Sequence, residues 1–328
     1  MMRSIFGRRA GPGRLLLFPA LCLALALVGV GAGPARAEPD QLGKWRSQAL
    51  SAVNADRQKH GREPLELTGP LNEAAQRHAE DMAQRNYYSH TSPEGNDVQD
   101  RFIDAGGSRW KLVEENIARC AGCRPPINAN RIEKLETGWM NSPHHRENIL
   151  REGLEGFGYG IVLTADDGLY AVQTFSGPGT SNGGEEAQAA KPLDPAEVPE
   201  RAAELMSAAR KRHDAGPVET DDALIKAARS FLPAPGSDDA SLKSIDLADA
   251  LPAGERGRWR SLSVLSAACG GCGTKPTAAD IRSFREQWLG NARYRKQLLD
   301  PDVTDIGFAL QANGGGRKVA IMLMGTRR

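Results

Sequence analysis

Four cysteines in two like spacings are the residues whose chemistry is most open to reading: Cys120-Ala-Gly-Cys123 and Cys269-Gly-Gly-Cys272. A C-x-x-C pair can close a small disulfide, supply half of a four-cysteine metal site, or act as a redox centre. Redox work needs a thiolate stabilised at a helix N-terminus in a thioredoxin-like pattern, and the flanking residues here are unlike one. A metal site would require both loops to meet. The even count in a chain that begins with an export signal favours the disulfides Cys120–Cys123 and Cys269–Cys272, with the other two uses left open. So short a loop constrains the unfolded chain by only about 2 kcal/mol, so each bridge would pin a loop rather than hold up a fold.

Serine and histidine lie close in two places, Ser89 beside His90 and Ser142 near His145. Adjacent residues of an extended segment point to opposite sides, so His90 is badly placed to activate Ser89. Ser142 precedes Pro143 and reads as a turn cap. With neither G-x-S-x-G nor H-E-x-x-H present, no nucleophile is singled out. His78 shares a helical face with Leu71, Ala74, Ala75 and Met82 and reads as core packing, whereas His60 ends its helix and reads as solvated.

The elements that must position these residues are written twice. Cys123 and Cys272 lie 149 residues apart, as do Trp139 and Trp288, Trp110 and Trp259, and Gly158 and Gly307. Upstream the offset is 153, pairing Pro64 with Pro217 and LNEAA (71–75) with LIKAA (224–228). This is the signature of one module repeated. Within the first copy, helical spacing covers 44–60, 71–86 and 131–140, with an irregular stretch before the third helix. After Pro143 the chain runs into GFGYGIVL, the turn Asp166-Asp167-Gly168 and LYAVQTF, a β-hairpin. IGFALQ, Asn313-Gly314-Gly315-Gly316 and KVAIMLM repeat it. Helices and antiparallel strands in this order predict an α+β fold. The Gly-, Pro- and Ala-rich segment between the copies reads as a linker.

Three segments of the first copy, HAEDMAQRNYYSHTSPEG (78–95), EENIA (114–118) and GWMNSPHHRENIL (138–150), resemble the signatures of bacterial CAP proteins (cysteine-rich secretory, antigen 5 and pathogenesis-related 1), in that family's order. The resemblance implies a CAP-type α-β-α sandwich over 44–179 and, after a linker at 180–198, a second, degenerate CAP-like α+β domain over 199–328. It also implies a ligand-binding cleft formed by His90, Glu115 and His145. In such a set two neutral imidazoles can hold a divalent metal such as zinc while a carboxylate orients a ring N–H or activates a metal-bound water. His90 and His145 are therefore the implied metal ligands, weak and exchangeable because two histidines fall one short of a catalytic zinc site, and Glu115 is the implied general base. Many eukaryotic members carry a second acid where this chain has Ser142, and His144 stands where glycine is more usual. Glu133 and Glu136 lie one turn earlier. The competing reading makes the same three residues a buried polar network with no ligand. In the second copy Val264 replaces Glu115, Tyr294 replaces His145, and LPAPGSDDASLKS, opposite His90, has no histidine, so any chemistry belongs to the first copy.

Arg3, Arg8, Arg9 and Arg14, the apolar run Leu15–Val30 and Ala35-Arg36-Ala37 compose a signal peptide over 1–37, cleaved after Ala37. Arg8-Arg9 and Cys22 lack the motifs of twin-arginine export and lipid anchoring. The expected product is secreted, periplasmic or extracellular, with no later membrane span. A formal charge of +1 from 42 basic and 41 acidic residues, with 5% aromatics, gives no electrostatic case for nucleic acid or anionic lipid. Three functions follow in order: a binding module for a small apolar ligand, peptide, cell-envelope component or divalent metal; a metal-assisted hydrolase of peptide or envelope substrates; and a structural or partner-docking tandem. Enzymatic activity is not the expected reading.

Overall fold

The computed structural model describes residues 39–164, 168–181, 191–234, 237 and 246–328. The signal segment, residues 182–190 of the linker and Asp166-Asp167 of the expected hairpin turn lie outside them. The first half runs α1 (Pro39–Lys59), β1 (Glu66–Leu67), α2 (Gly69–Arg85), α3 (Val98–Asp104), β2 (Leu112–Cys120), α4 (Ala129–Met140), α5 (Pro143–Leu150), β3 (Gly156–Leu163) and β4 (Leu169–Gly177). Its sheet has the order β1-β3-β4-β2, with β1 parallel to β3 and the other pairs antiparallel.

Strands β3 and β4 are near-continuous apolar runs because helices cover both of their faces. On one face Phe157, Tyr159, Ile161, Ala171 and Phe175 pack with Trp45, Ala49 and Val53 of α1 and with Ile132 and Trp139 of α4. On the other, Ile117, Val162, Tyr170 and Val172 meet Ala75, Ala79 and Met82 of α2. The result is the expected α-β-α sandwich. Helix α2 carries Pro70 in its first turn, where a missing N–H costs nothing, and stops at Asn86, whose left-handed φ of 51° ends the helix. It lies so close to β3 that a Cβ at Gly158 would collide with the backbone of Leu71 and Asn72.

Two expectations are corrected here. The stretch read as irregular contains α3 and a nine-residue strand, β2, paired with β4 along its whole length. And Pro143 does not lead straight into a strand: Ser142 is the N-cap and Pro143 the first residue of α5, although the Ser142 side chain makes no capping bond.

The second half runs α6 (Val198–Lys211), β5 (Glu219–Thr220), α7 (Asp222–Ser230), α8 (Leu247–Ala250), β6 (Trp259–Cys269), α9 (Ala278–Gly290), α10 (Ala292–Leu298), β7 (Asp305–Ala312) and β8 (Lys318–Arg327), with sheet order β5-β7-β8-β6. Individual buried hydrogen bonds recur at the offsets noted above. Trp139 Nε1 donates to the Ile117 carbonyl at 3.1 Å, and Trp288 Nε1 to that of Ser266 at 3.2 Å. Arg57, buried, donates to the carbonyls of Glu63, Ile149 and Arg151; Arg210, buried, donates to those of Gly216, Leu298 and Asp300. Cys120 is bonded to Cys123 and Cys269 to Cys272. The second of these loops touches the first half: Gly271 N donates to the Trp110 carbonyl at 2.7 Å and Gly273 N to that of Pro178 at 2.8 Å. Among the described residues no helix is long and apolar enough to cross a membrane.

Candidate functional site

Strand β2 lies at the sheet edge, and its central residues are the polar Glu115 and Asn116 rather than an apolar alternation. Glu115 faces α2, and its side chain is only 2% exposed. A carboxylate so buried needs compensating partners, and it has them. Its Oε1 accepts from His90 Nδ1 at 2.9 Å and its Oε2 from Arg101 NH2 at 2.7 Å. His78 Nε2 lies 3.8 Å from Oε1 and donates to the Ser89 carbonyl at 3.0 Å.

These bonds set the tautomers. With Nδ1 of His90 donating to the carboxylate, its Nε2 is the open acceptor of the neutral ring, and that side chain is 56% exposed. Arg101 also donates to the carbonyls of His90 and Asn96, which fixes the loop carrying His90 onto the carboxylate. His145 reaches the site from α5. Its carbonyl accepts from Asn116 Nδ2 at 3.1 Å, while burial, then the nearby His90 and His144, lower its pKa. Burial also lowers that of His78, outweighing the opposing pull of Glu115. Asn148 Nδ2 bridges the Glu115 carbonyl and Asn116 Oδ1, so two amides lock α5 to the strand edge.

The three residues implied by sequence are thus brought to one place, with His90 bonded to Glu115 and His145 beside them. Sequence reasoning missed Arg101, Asn116 and Asn148. Arg101 follows a readable signal, the capping box Asp97-x-x-Asp100 that starts α3. His78 is buried as expected, but it belongs to the Glu115 cluster rather than to apolar packing alone. His60 is half-buried rather than solvated: its Nδ1 bonds the Asp56 carbonyl and Arg146 donates to its Nε2. Ser89 Oγ accepts from Thr91 N at 3.1 Å.

A resident metal does not fit this donor set. The Glu115 carboxylate is spent on Arg101 and His90, which leaves two imidazoles, and among the described residues no group of three His, Cys, Asp or Glu is placed to hold an ion.

The fold is an α-β-α sandwich with His90, Glu115 and Arg101 joined at its edge strand, and sandwich and sequence together place it in the CAP class of domain. Residues 50–175 match the CAP family, described as the cysteine-rich secretory protein family, and this domain of the chain belongs to it. Two Bacillus subtilis proteins are similar. The uncharacterized protein YkwD is 32% identical over 139 residues, 42% of this chain and 49% of that protein; the uncharacterized membrane protein YlbC is 33% identical over 139 residues, 40% of this chain and 36% of that one. The chain therefore spans half or less of the length of these relatives. An extracellular SCP-domain protein of Bacillus anthracis, solved as a crystal structure, is 28% identical with a TM-score of 0.34, covering 43% of this chain and 44% of that one.

Proposed function

We propose that residues 44–179 form an extracytoplasmic binding module whose cleft around His90, Glu115 and His145 takes a hydrogen-bond-donating peptide or cell-envelope component. The observation that carries this reading is the commitment of both Glu115 oxygens, to His90 and to Arg101, which leaves His90 Nε2 as an exposed, oriented acceptor. A ligand N–H or O–H placed there meets a ring already fixed in tautomer and orientation, so little ordering entropy is lost on binding. The covered strand edge argues against a peptide adding as a further strand. The Ile117 carbonyl already accepts from Tyr88 and Trp139, and that of Glu115 from Asn148. Imidazole NMR during titration with a library of short peptides tests the reading. We expect shifts at His90 and His145 that vanish in Glu115→Ala; a library that moves neither ring sinks it.

The same geometry disfavours hydrolysis with Glu115 as base, because both of its oxygens already accept hydrogen bonds, from His90 and Arg101, and its side chain is 2% exposed. Peptide and ester turnover is expected to be equal in the wild type and Glu115→Ala. Zinc calorimetry is expected to give equal heats for the wild type and the His90→Ala, His145→Ala double variant.

Residues 199–328 read as a degenerate copy that supports the first. Its backbone contacts to Trp110 and Pro178 favour this buttressing role. Deleting 199–328 should lower the stability of the remainder without abolishing the ring shifts; a remainder as stable as the full chain would remove it.

A further inference from the structure

The two C-x-x-C pairs close alike but sit in different surroundings. Cys120 ends β2 at the sheet edge, and Ala121, Gly122 and Arg124 of the loop that follows are exposed. Cys120 itself is half-buried, whereas Cys123 is 6% exposed and belongs to the apolar cluster that holds Ile127 and Ile132. Against that inner sulfur lies a cation. Arg131, in the first turn of α4, places NH1 2.6 Å from Cys123 Sγ. From Arg119 to Arg131 the chain carries three arginines and no acid.

The second pair is the contrasting case. Its neighbours in sequence, Ala268 and Gly273, are uncharged, and Cys272 is fully buried. Its loop is held against the first half through Gly271 and Gly273. At the offset of 149 the place of Arg131 is taken by Asp280, which is bonded to Lys318 and closes the capping box of α9. An acid thus stands where the first copy has its guanidinium.

A guanidinium gains little from a neutral disulfide sulfur and much from a thiolate. Burial alone would disfavour a charge on Cys123, and the adjacent cation opposes that. Arg131 is therefore placed for the state in which the Cys120–Cys123 bond is open.

We propose that Cys120–Cys123 is a thiol–disulfide exchange centre that takes two electrons from an external dithiol, with Cys120 as the sulfur attacked and Arg131 holding the sulfur that leaves. The incoming thiolate bonds to Cys120 Sγ as the Cys120–Cys123 bond breaks, and the electron pair departs on Cys123 Sγ beside Arg131 NH1. The second thiolate of the donor then attacks the donor sulfur of the mixed disulfide, and Cys120 leaves as a thiolate. The donor dithiol is oxidised to a disulfide, the protein disulfide is reduced to two thiols, and the two donor protons pass to the two cysteines. A less basic thiolate leaves faster, so Arg131 speeds the first step.

Incubating the oxidised full chain with dithiothreitol, as the dithiol probe, and with glutathione, a monothiol that traps the mixed disulfide, tests the proposal. Timed samples are alkylated, and the four cysteines are read by peptide mass spectrometry. We expect Cys120–Cys123 to open about tenfold or more faster than Cys269–Cys272, with glutathione captured on Cys120. Arg131→Ala should slow that opening by about tenfold and raise the pH needed to alkylate Cys123 in the reduced chain. Arg131→Lys, which restores a cation, should recover most of both. An arginine that merely packs the loop predicts the opposite sign, since loosening the loop exposes the disulfide and speeds its opening. Unchanged or faster opening in Arg131→Ala, capture of glutathione on Cys123, or equal rates for the two pairs overturns the proposal.

Discussion

Arg101 and Glu115 decide the residue-scale energetics, because one neutralises the other where water is scarce. Arg101→Ala would leave the carboxylate buried without its cation, a loss of about 3–5 kcal/mol, whereas adding Glu115→Gln to that variant removes the orphaned charge and should return part of the loss. Urea denaturation of the two single variants and the double variant measures this; additive losses would mean that the pair does not interact. The titrating groups act in opposite directions. His78 and His145 have lowered pKa values, so below about pH 6.5 the unfolded chain binds protons the folded one refuses, and stability falls as pH drops from there to the folded values. Glu136 is raised from 4.5 to about 7, so across that window the folded state holds a proton the unfolded state has lost, and stability falls as pH rises, by about 3 kcal/mol in all. Glu136→Gln removes only the second effect. Relative to the wild type, the variant should gain stability between about pH 5 and 7 and then hold a constant difference. A difference independent of pH would show that Glu136 ionises like an exposed glutamate.

At the scale of elements, what the sequence discloses tracks how far each segment follows one period. Helices α1, α2 and α4 and the β3–β4 hairpin repeat apolar residues at helical spacing or in continuous runs, and their positions were legible to within a few residues at most boundaries. Strand β2 was not, since Glu115 and Asn116 interrupt any apolar pattern: the residues that make the site are the ones that hide the strand. Helix α5 was hidden for a different reason. It has a Ser142-Pro143 start, but only Ile149 is buried, so no amphipathic stripe marks it. His90, Glu115 and His145 were legible only through family resemblance, and Arg101 and Asn148 became visible as partners only when the fold brought α3 and α5 to the edge of β2. Gly158 shows the reverse case, a residue whose purpose is plain only in three dimensions. Gly158→Ala should cost about 1–3 kcal/mol or more by forcing α2 off the sheet, read as a lowered urea midpoint with an unchanged slope. An unchanged midpoint would mean that α2 can shift freely.

On the scale of the whole molecule, the halves are joined by backbone hydrogen bonds to Trp110 and Pro178, by Arg317 over the Trp110 ring, and by Ser181 after β4, whose side chain reaches a buried ion pair of the second half. Lys318 and Asp280 are 0% and 1% exposed at their side chains, with Nζ 2.5 Å from the carboxylate, and the same ammonium donates to Ser181 Oγ at 2.8 Å. Ser181 follows β4, the strand that carries Gln173, so the exit of the first sheet is fastened inside the second half. Burial pulls the Lys318 pKa down, opposed by Asp280, and a cation desolvated in this way is kept charged by its partner. Lys318→Met leaves Asp280 buried without that partner and leaves Ser181 only its 3.4 Å bond to Asp280. We expect a loss of about 3–5 kcal/mol and, because the fastening is weakened, the division of a single urea transition into two. Tryptophan fluorescence reports on both halves, through Trp45, Trp110 and Trp139 in the first and Trp259 and Trp288 in the second. If Lys318→Met instead shifts one transition without dividing it, the pair stabilises the second half alone and the buttress must rest on the Gly271 and Gly273 contacts.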